Sequence, residues 1–245
     1  MKILITGILG KMGQLVAQQI NSNPQWTLLG GIDSKGRTCA DYPVFSSLDD
    51  APEADVIFDF SYPDQISAIL TYACTHKTPL VLATTGYTAD QEKLIIDASA
   101  YLPIFRSANF SYGILIMRKL LVLASEYLSE GFDVELVEAH HNRKADAPSG
   151  TAKLLVKSIN DALPMPRTVV SAHDQGKRQP DTIGVFALRA GAIAGDHTVL
   201  FASESESIEI SHRAFSKEVF AQGALRAAAF IFDKSPGLYS MDNLL

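Results

Sequence analysis

A turn with glycines at 7, 10 and 13 stands between a short apolar run and an amphipathic one, and that order constrains the fold more than any other feature. Residues 2–6 are apolar and bounded by glycine, as suits a buried parallel strand. Residues 14–21 carry Leu15, Val16 and Ile20 on one helical face until Asn23-Pro24 stops the helix. Residues 26–32 read as a second strand, ending at Asp33. Strand, glycine turn, helix and strand form the context that a dinucleotide fingerprint requires. Gly7 would make the tight turn, Gly10 would admit backbone amides to a pyrophosphate, and Gly13 would let helix pack on strand. The helix start adds oriented N–H groups and partial positive charge. Asp33 lies about 20 residues past Gly13, where a carboxylate accepts hydrogen bonds from ribose hydroxyls and disfavours a 2′-phosphate. Lys35 and Arg37 lie close enough to pair with such a phosphate instead. Leu9 stands where the commonest fingerprint has glycine. A glycine-rich turn alone needs no ligand; strand, helix and Asp33 together point to a nucleotide.

The alternation continues with strands at 54–60, 79–82 and 103–106 and helices at 66–74 and 90–100. That is the pattern of a parallel sheet covered on both faces. After Asn109 the character changes. A long helical stretch, 112–128, precedes an alternating strand, 132–139, and a polar loop, 140–149, which opens a helix from 150 to about 162 closed by Pro164 and Pro166. Strands at 169–172, 185–189, 197–202 and 207–211 follow, several polar on alternate residues, so one face of their sheet is expected to be open. Residues 215–232 are helical again, with Ala221, Ala224, Leu225 and Ala228 on one face. The expected fold class is α/β: a Rossmann-like dinucleotide-binding domain from 1–110 plus 214–245, and a second α+β domain with a mixed open sheet, 111–213. A chain that crosses twice between domains is expected to close about a two-strand hinge.

Composition narrows the function. The 245 residues carry a formal net charge of −6, which argues against a nucleic-acid binder and leaves room for a local basic pocket. Cys39 and Cys74 form no CxxC pair and are expected to be buried thiols of a cytoplasmic protein. No apolar run approaches the roughly 18 residues of a membrane helix, because Arg118-Lys119 interrupts 113–124. Residues 3–5 are too short for the apolar part of a signal peptide.

The stretch 135–152 concentrates chemistry. His140, His141, Arg143 and Lys144 fall within five residues of an acidic protein, and Pro148-Ser149-Gly150-Thr151 then opens a helix. Ser149 and Thr151 offer hydroxyls, and helix-start amides around Gly150, unobstructed by a side chain, suit a carboxylate or phosphate. Lys144 adds an ammonium, and one histidine can supply a proton near neutral pH. Paired histidines with Asp146 could hold a metal, but without cysteine the set is a poor one for zinc, and no metal is expected. A solvated basic surface is the plainer alternative. On a continuing strand His140 and His141 would point to opposite faces, so both reach one ligand only if the strand has ended.

Gly7-x-x-Gly10-x-Met12-Gly13 and Glu138-Ala139-His140-His141…Lys144-x-Asp146-Ala147-Pro148-Ser149-Gly150-Thr151-Ala152 resemble the two signatures of the dihydrodipicolinate reductase family. Thr84-Thr85-Gly86, Ala108-Asn109-Phe110-Ser111, Arg189-x-Gly191, Gly195-x-His197 and Ser211-His212-Arg213 extend the likeness from end to end. The resemblance implies NADH- or NADPH-dependent reduction of 4-hydroxy-tetrahydrodipicolinate, with loss of water, in the diaminopimelate route to lysine. It implies His140 as general acid, Lys144 as its partner in catalysis and substrate binding, and His141, Ser149, Gly150 and Thr151 around the carboxylates. Gly7, Ile8, Leu9, Gly10, Lys11, Met12, Asp33, Ala83, Thr84, Thr85, Ser107, Ala108, Asn109 and Phe110 would line the cofactor cleft. A homotetramer assembled through the second domain's sheet is also implied. Ala83 replaces the first glycine of the usual Gly-Thr-Thr-Gly, and Ser61-Tyr62 lacks the arginine that many NADPH-using members carry. With Asp33 this favours NADH, while Lys35 and Arg37 keep both cofactors open. An amino-acid dehydrogenase and a nucleotide-sensing regulator are the rival classes. Ammonia-dependent turnover would mark the first, and cofactor binding without turnover the second.

Overall fold

The computed structural model describes residues 1–33, 41–171 and 178–245. Lys35, Arg37, Cys39 and Ala172 lie outside them. The chain divides into two compact units, Met1–Ser111 with Lys217–Leu245, and Tyr112–Ser216.

In the first unit, β1 (Lys2–Thr6), α1 (Lys11–Asn21), β2 (Thr27–Ile32), β3 (Val44–Phe45), β4 (Val56–Asp59), α2 (Ile66–His76), β5 (Leu80–Leu82), α3 (Ala89–Ser99) and β6 (Pro103–Arg106) follow in order. After the second unit the chain returns with α6 (Glu218–Ile231) and β12 (Gly237–Tyr239). The seven strands pair in parallel in the order β12-β6-β5-β4-β1-β2-β3. Leu4, Ile57, Leu80, Leu82 and Ile104 pack against Ile66, Ile69 and Ile95 of α2 and α3. The alternate residues Ile3, Ile5, Phe58 and Phe105 are buried as well. Burial of both faces is why these strands read as unbroken apolar runs. The strand order reverses at β1, with β2 on one side and β4 on the other, and the crevice past such a switch point is where open α/β sheets bind ligands.

The second unit comprises α4 (Tyr112–Tyr127), β7 (Asp133–His140), α5 (Gly150–Ala162), β8 (Thr168–Val170), β9 (Thr182–Arg189), β10 (Gly195–Ala202) and β11 (Ser207–Ala214). Its sheet, β11-β10-β7-β9-β8, is mixed: β10 runs antiparallel to β7 and β11, while β7, β9 and β8 are mutually parallel. Val134, Leu136, Ile183, Val185, Val199 and Phe201 face Ile114, Leu121, Leu155 and Ile159 of α4 and α5. Along β10 buried residues alternate with partly exposed ones, as expected for a sheet with one open face.

Several expectations are corrected. His140 belongs to the strand and pairs with Arg189, so the polar loop begins one residue later. β9 starts at Thr182, ahead of the apolar run, and β11 continues to Ala214. β8 ends at Val170, short of the strand expected to reach Ala172. β3 and β12 were not anticipated; at two and three residues they are too short to show a period. Cys74 is a free, exposed thiol, because the buried face of α2 runs through Ile66, Ile69, Leu70 and Ala73 and Cys74 falls beyond it in the last turn.

Candidate active site

In the first unit, Gly7 has φ +73°, and a Cβ there would lie 2.5 Å from the Phe60 carbonyl oxygen. A Cβ on Gly13 would lie 2.4 Å from the Gly7 carbonyl oxygen, so only glycine lets α1 start this close to β1. Gly10 is the N-cap of α1 and supplies no side-chain cap, leaving first-turn amides available to an anion. Ile8 is fully buried, whereas Lys11 is exposed. A hollow of about 530 Å³ is lined by Gly7, Ile32, Asp33, Ser46, Ser61 and Tyr72, among others. A second, of about 260 Å³, is lined by Met12, Ser61, Ala83, Thr84 and Thr85. Residues 107–110 leave the end of β6 in a turn in which the Asn109 N–H donates to Ser107 Oγ (3.1 Å) and the Ser111 N–H to Asn109 Oδ1 (2.8 Å).

Asp59, fully buried at the end of β4, escaped the sequence reading. It accepts hydrogen bonds from Thr6 Oγ1 (2.7 Å), the Ser61 N–H (3.0 Å), Ser61 Oγ and Tyr87 Oη (3.2 Å). This carboxylate fixes Ser61, which lines both hollows. Burial, followed by the Asp59 charge, pushes the Tyr87 phenol well above its usual range.

In the second unit, the covered face of the sheet is apolar at one end and ionisable at the other. Glu138 and His140 follow Val134 and Leu136 on alternate positions of β7, and His197 pairs with Glu138 across β10. Glu138 is fully buried; its Oε1 accepts from the Ser149 N–H (2.9 Å) and from Arg189 Nη2 (3.0 Å). Its Oε2 lies 3.1 Å from His140 Nδ1 and 3.7 Å from His197 Nε2. The two rings meet edge to face, with centroids 5.2 Å apart. Past His140 the chain turns, the Lys144 N–H donating to the His141 carbonyl (3.1 Å). Lys144 Nζ pairs with Asp146 Oδ1 at 2.8 Å, and the Ala147-Pro148 bond is cis. Ser149 caps α5, its Oγ accepting from the Ala152 N–H at 3.1 Å.

Burial pushes the Glu138 carboxyl up, but hydrogen bonds from Ser149 and Arg189 outweigh it and hold the group below the usual carboxylate range. Burial depresses His140, Lys144 and Arg189 add to that, and Glu138 opposes it. His197 is pushed down to about 4, chiefly by burial and then by His140. The Lys144 ammonium holds Asp146 below its ordinary value.

His140 and Lys144 therefore sit with a carboxylate that sequence reasoning passed over. The signal was present, since Glu138 occupies the apolar register of an alternating strand. His141 and Thr151 are partly buried, and the α-carbon of Gly150 faces open space. Ser149 faces inward, toward Glu138 and His197. It is 1% exposed; its N–H donates to Glu138, and its Oγ accepts the cap bond from Ala152 while its side chain also hydrogen-bonds Glu138. Glu138, His140 and His197 present three ligand-type atoms within 4.8 Å of one another. Arg189, donating to the same carboxylate, places a positive charge where a cation would bind, so the set does not suit a metal.

A parallel sheet with a glycine cradle at its switch point, joined in one chain to a mixed sheet bearing a His–Glu–Lys cluster, defines a two-domain α/β reductase. The chain belongs to the dihydrodipicolinate reductase family. Residues 1–110 match that family's N-terminal description and residues 113–245 its C-terminal one. It is 44% identical to the 4-hydroxy-tetrahydrodipicolinate reductase of Caldanaerobacter subterraneus subsp. tengcongensis, covering 100% of this chain and 98% of the relative. A dipicolinate-bound dihydrodipicolinate reductase from Paenisporosarcina sp. TG-14 superposes with a TM-score of 0.84 at 25% identity, covering 100% and 99% of the two chains. Diaminopimelate dehydrogenase of C. glutamicum shares the fold at a TM-score of 0.58 and 13% identity, covering 98% and 92%. No helix among the described residues is long and apolar enough to cross a membrane.

Proposed function

We propose that the chain catalyses the NAD(P)H-dependent reduction of 4-hydroxy-tetrahydrodipicolinate to tetrahydrodipicolinate in the cytoplasm. The observation that carries this reading is full-length membership of the reductase family together with the buried Glu138–His140 pair beside Lys144. The first unit fits a dinucleotide: the amides from Gly7 to Met12 would take the pyrophosphate, and Asp33 the ribose. Ala83, Thr84 and Thr85, with residues 107–110, would take the nicotinamide end. Bound there, the reduced nicotinamide supplies a hydride. In the second unit His140 holds the proton, and Lys144 moves from Asp146 to a substrate carboxylate. His141, Thr151 and the backbone at Gly150, where no side chain obstructs a ligand, would hold the carboxylates, with Ser149 beside them. Asp33 favours NADH. The open face of the second sheet, with Val137, Phe186, Leu188 and Leu200 on it, is where a homotetramer would assemble.

The test is oxidation of NADH and NADPH, side by side, on adding freshly generated 4-hydroxy-tetrahydrodipicolinate. Robust oxidation by the wild type, lost in His140→Gln without loss of cofactor binding, is expected. Cofactor binding with no oxidation overturns the reading, and oxidation that requires ammonia assigns an amino-acid dehydrogenase.

A further inference from the structure

A carboxylate with no exposure at all must have its charge answered by donors. Glu138 meets that demand unevenly. Oε1 takes both the Ser149 N–H and the Arg189 guanidinium, fixing the carboxylate plane from two elements, the start of α5 and β9. Oε2 is left to the imidazoles, His140 Nδ1 at 3.1 Å and His197 Nε2 at 3.7 Å, at ion-pair distance without the alignment of a hydrogen bond. On the opposite side of the His140 ring, Nε2 faces Gly195, where an added Cβ would lie only 3.1 Å away.

We propose that Glu138 is the positioning residue of His140, holding Nδ1–H toward its Oε2 so that Nε2 is the atom that delivers the proton. The proposal rests on the reading above, in which His140 is the proton donor. In that reaction water leaves the substrate ring, and the ring then gains a hydride from the reduced nicotinamide and a proton from His140. The N–H bond that breaks is at Nε2 of the imidazolium. Its electron pair stays on the ring, which returns as the neutral Nδ1–H tautomer, and solvent restores the proton. Glu138 thus favours both the charged acid before the step and the correct neutral tautomer after it.

The groups facing His140 are Glu138 on its own strand, Lys144 and Asp146 on the following loop, Arg189 on β9 and His197 on β10. Glu138→Gln keeps the shape and the two donors to Oε1 but removes the nearest negative charge, leaving Lys144 and Arg189 opposed to the imidazolium. The acid form is then lost at lower pH. The descending limb of the kcat profile should move down by about 1–3 pH units. At pH 8 kcat should fall about 100-fold, with KM for substrate changed by less than about threefold. Glu138→Asp keeps the charge and should hold the limb within about one pH unit of wild type.

The second readout is the imidazole nitrogen spectrum of the full chain labelled with ¹⁵N-histidine, with His140 assigned by its loss in His140→Gln. Wild type should show neutral His140 as the Nδ1–H tautomer, and Glu138→Gln should convert it to Nε2–H. An Nε2–H tautomer in wild type overturns the proposal, as does a pH limb that Glu138→Gln leaves in place. If Glu138→Gln does not fold, the wild-type tautomer and the Glu138→Asp limb decide. Absence of turnover in wild type would overturn the functional reading, while the tautomer would still report on Glu138.

Discussion

His197 shows how one side chain makes the active-site end of the second sheet sensitive to acid. It is 3% exposed, and its ordinary value of 6.5 falls to about 4 through burial and the neighbouring His140. The folded state therefore binds its proton less readily than the unfolded chain does, and the stability His197 contributes is present above pH 6.5 and lost as pH falls from 6.5 toward 4. The loss is about 2 kcal/mol by pH 5. Glu138, whose value is depressed, stays ionised in the folded state at pH 5 and begins to add its own loss only near and below 4.5. Urea unfolding at pH 7.5 and pH 5 should show wild type losing about 2 kcal/mol more than His197→Gln across that interval. Equal losses would mean that His197 is charged in the folded state. The sequence displayed His197 and Glu138 but not their meeting, which depends on β10 pairing antiparallel to β7 in a register that puts the two opposite each other. The stretch that holds His140 and Lys144 was conspicuous because cations crowded into five residues of an acidic chain need no pairing partner to stand out, whereas the choice of His140 over His141 came from the family resemblance.

At the scale of elements, α5 joins the local helix code to the site. Ser149 is its N-cap, and Leu155, Val156 and Ile159 form the buried stripe that packs it on the sheet. This start was readable, since Ser-Gly-Thr before an apolar period is a helix opening with a mechanism. What could not be read is that Ser149 faces inward. The cap hydroxyl is 3.4 Å from His197 Nε2, and the Ser149 backbone N–H holds Glu138. Ser149→Ala keeps that N–H but loses the cap and the hydroxyl's contacts with Glu138 and His197, so it should cost about 1–2 kcal/mol of stability. It should leave KM for the dicarboxylate unchanged, because the hydroxyl has no free face toward a ligand. A large rise in KM with unaltered unfolding would return Ser149 to the substrate. Long periodic segments such as α4 were read within a residue or two, whereas β3 and β12 have neither length nor period and exist only as additions to the edges of a sheet built by other strands.

At the scale of the molecule, the family boundary and the folding boundary differ. The family's N-terminal description ends at residue 110, while the first compact unit takes back Lys217–Leu245. In the structure Ala221, Ala224, Ala227, Ala228 and Ile231 are buried, α6 packs on α1, β5 and β6, and β12 extends the sheet beside β6. Residues 1–110 alone would expose that seat and leave β6 as an open edge. They should therefore give no cooperative thermal transition. The repair is short, because Phe110 and Gly223 are in such close contact that an added Cβ at 223 would overlap the Phe110 carbonyl oxygen. Joining residues 1–111 to 217–245 through a flexible Gly/Ser linker should restore a single cooperative melt, followed by circular dichroism, and binding of reduced nicotinamide, followed by its fluorescence. Cooperative folding of 1–110 by itself would show that α6 is dispensable to the unit. A fused unit that melts cooperatively but does not bind nicotinamide would instead mean that the glycine cradle and Asp33 are insufficient to hold the dinucleotide without residues 112–216.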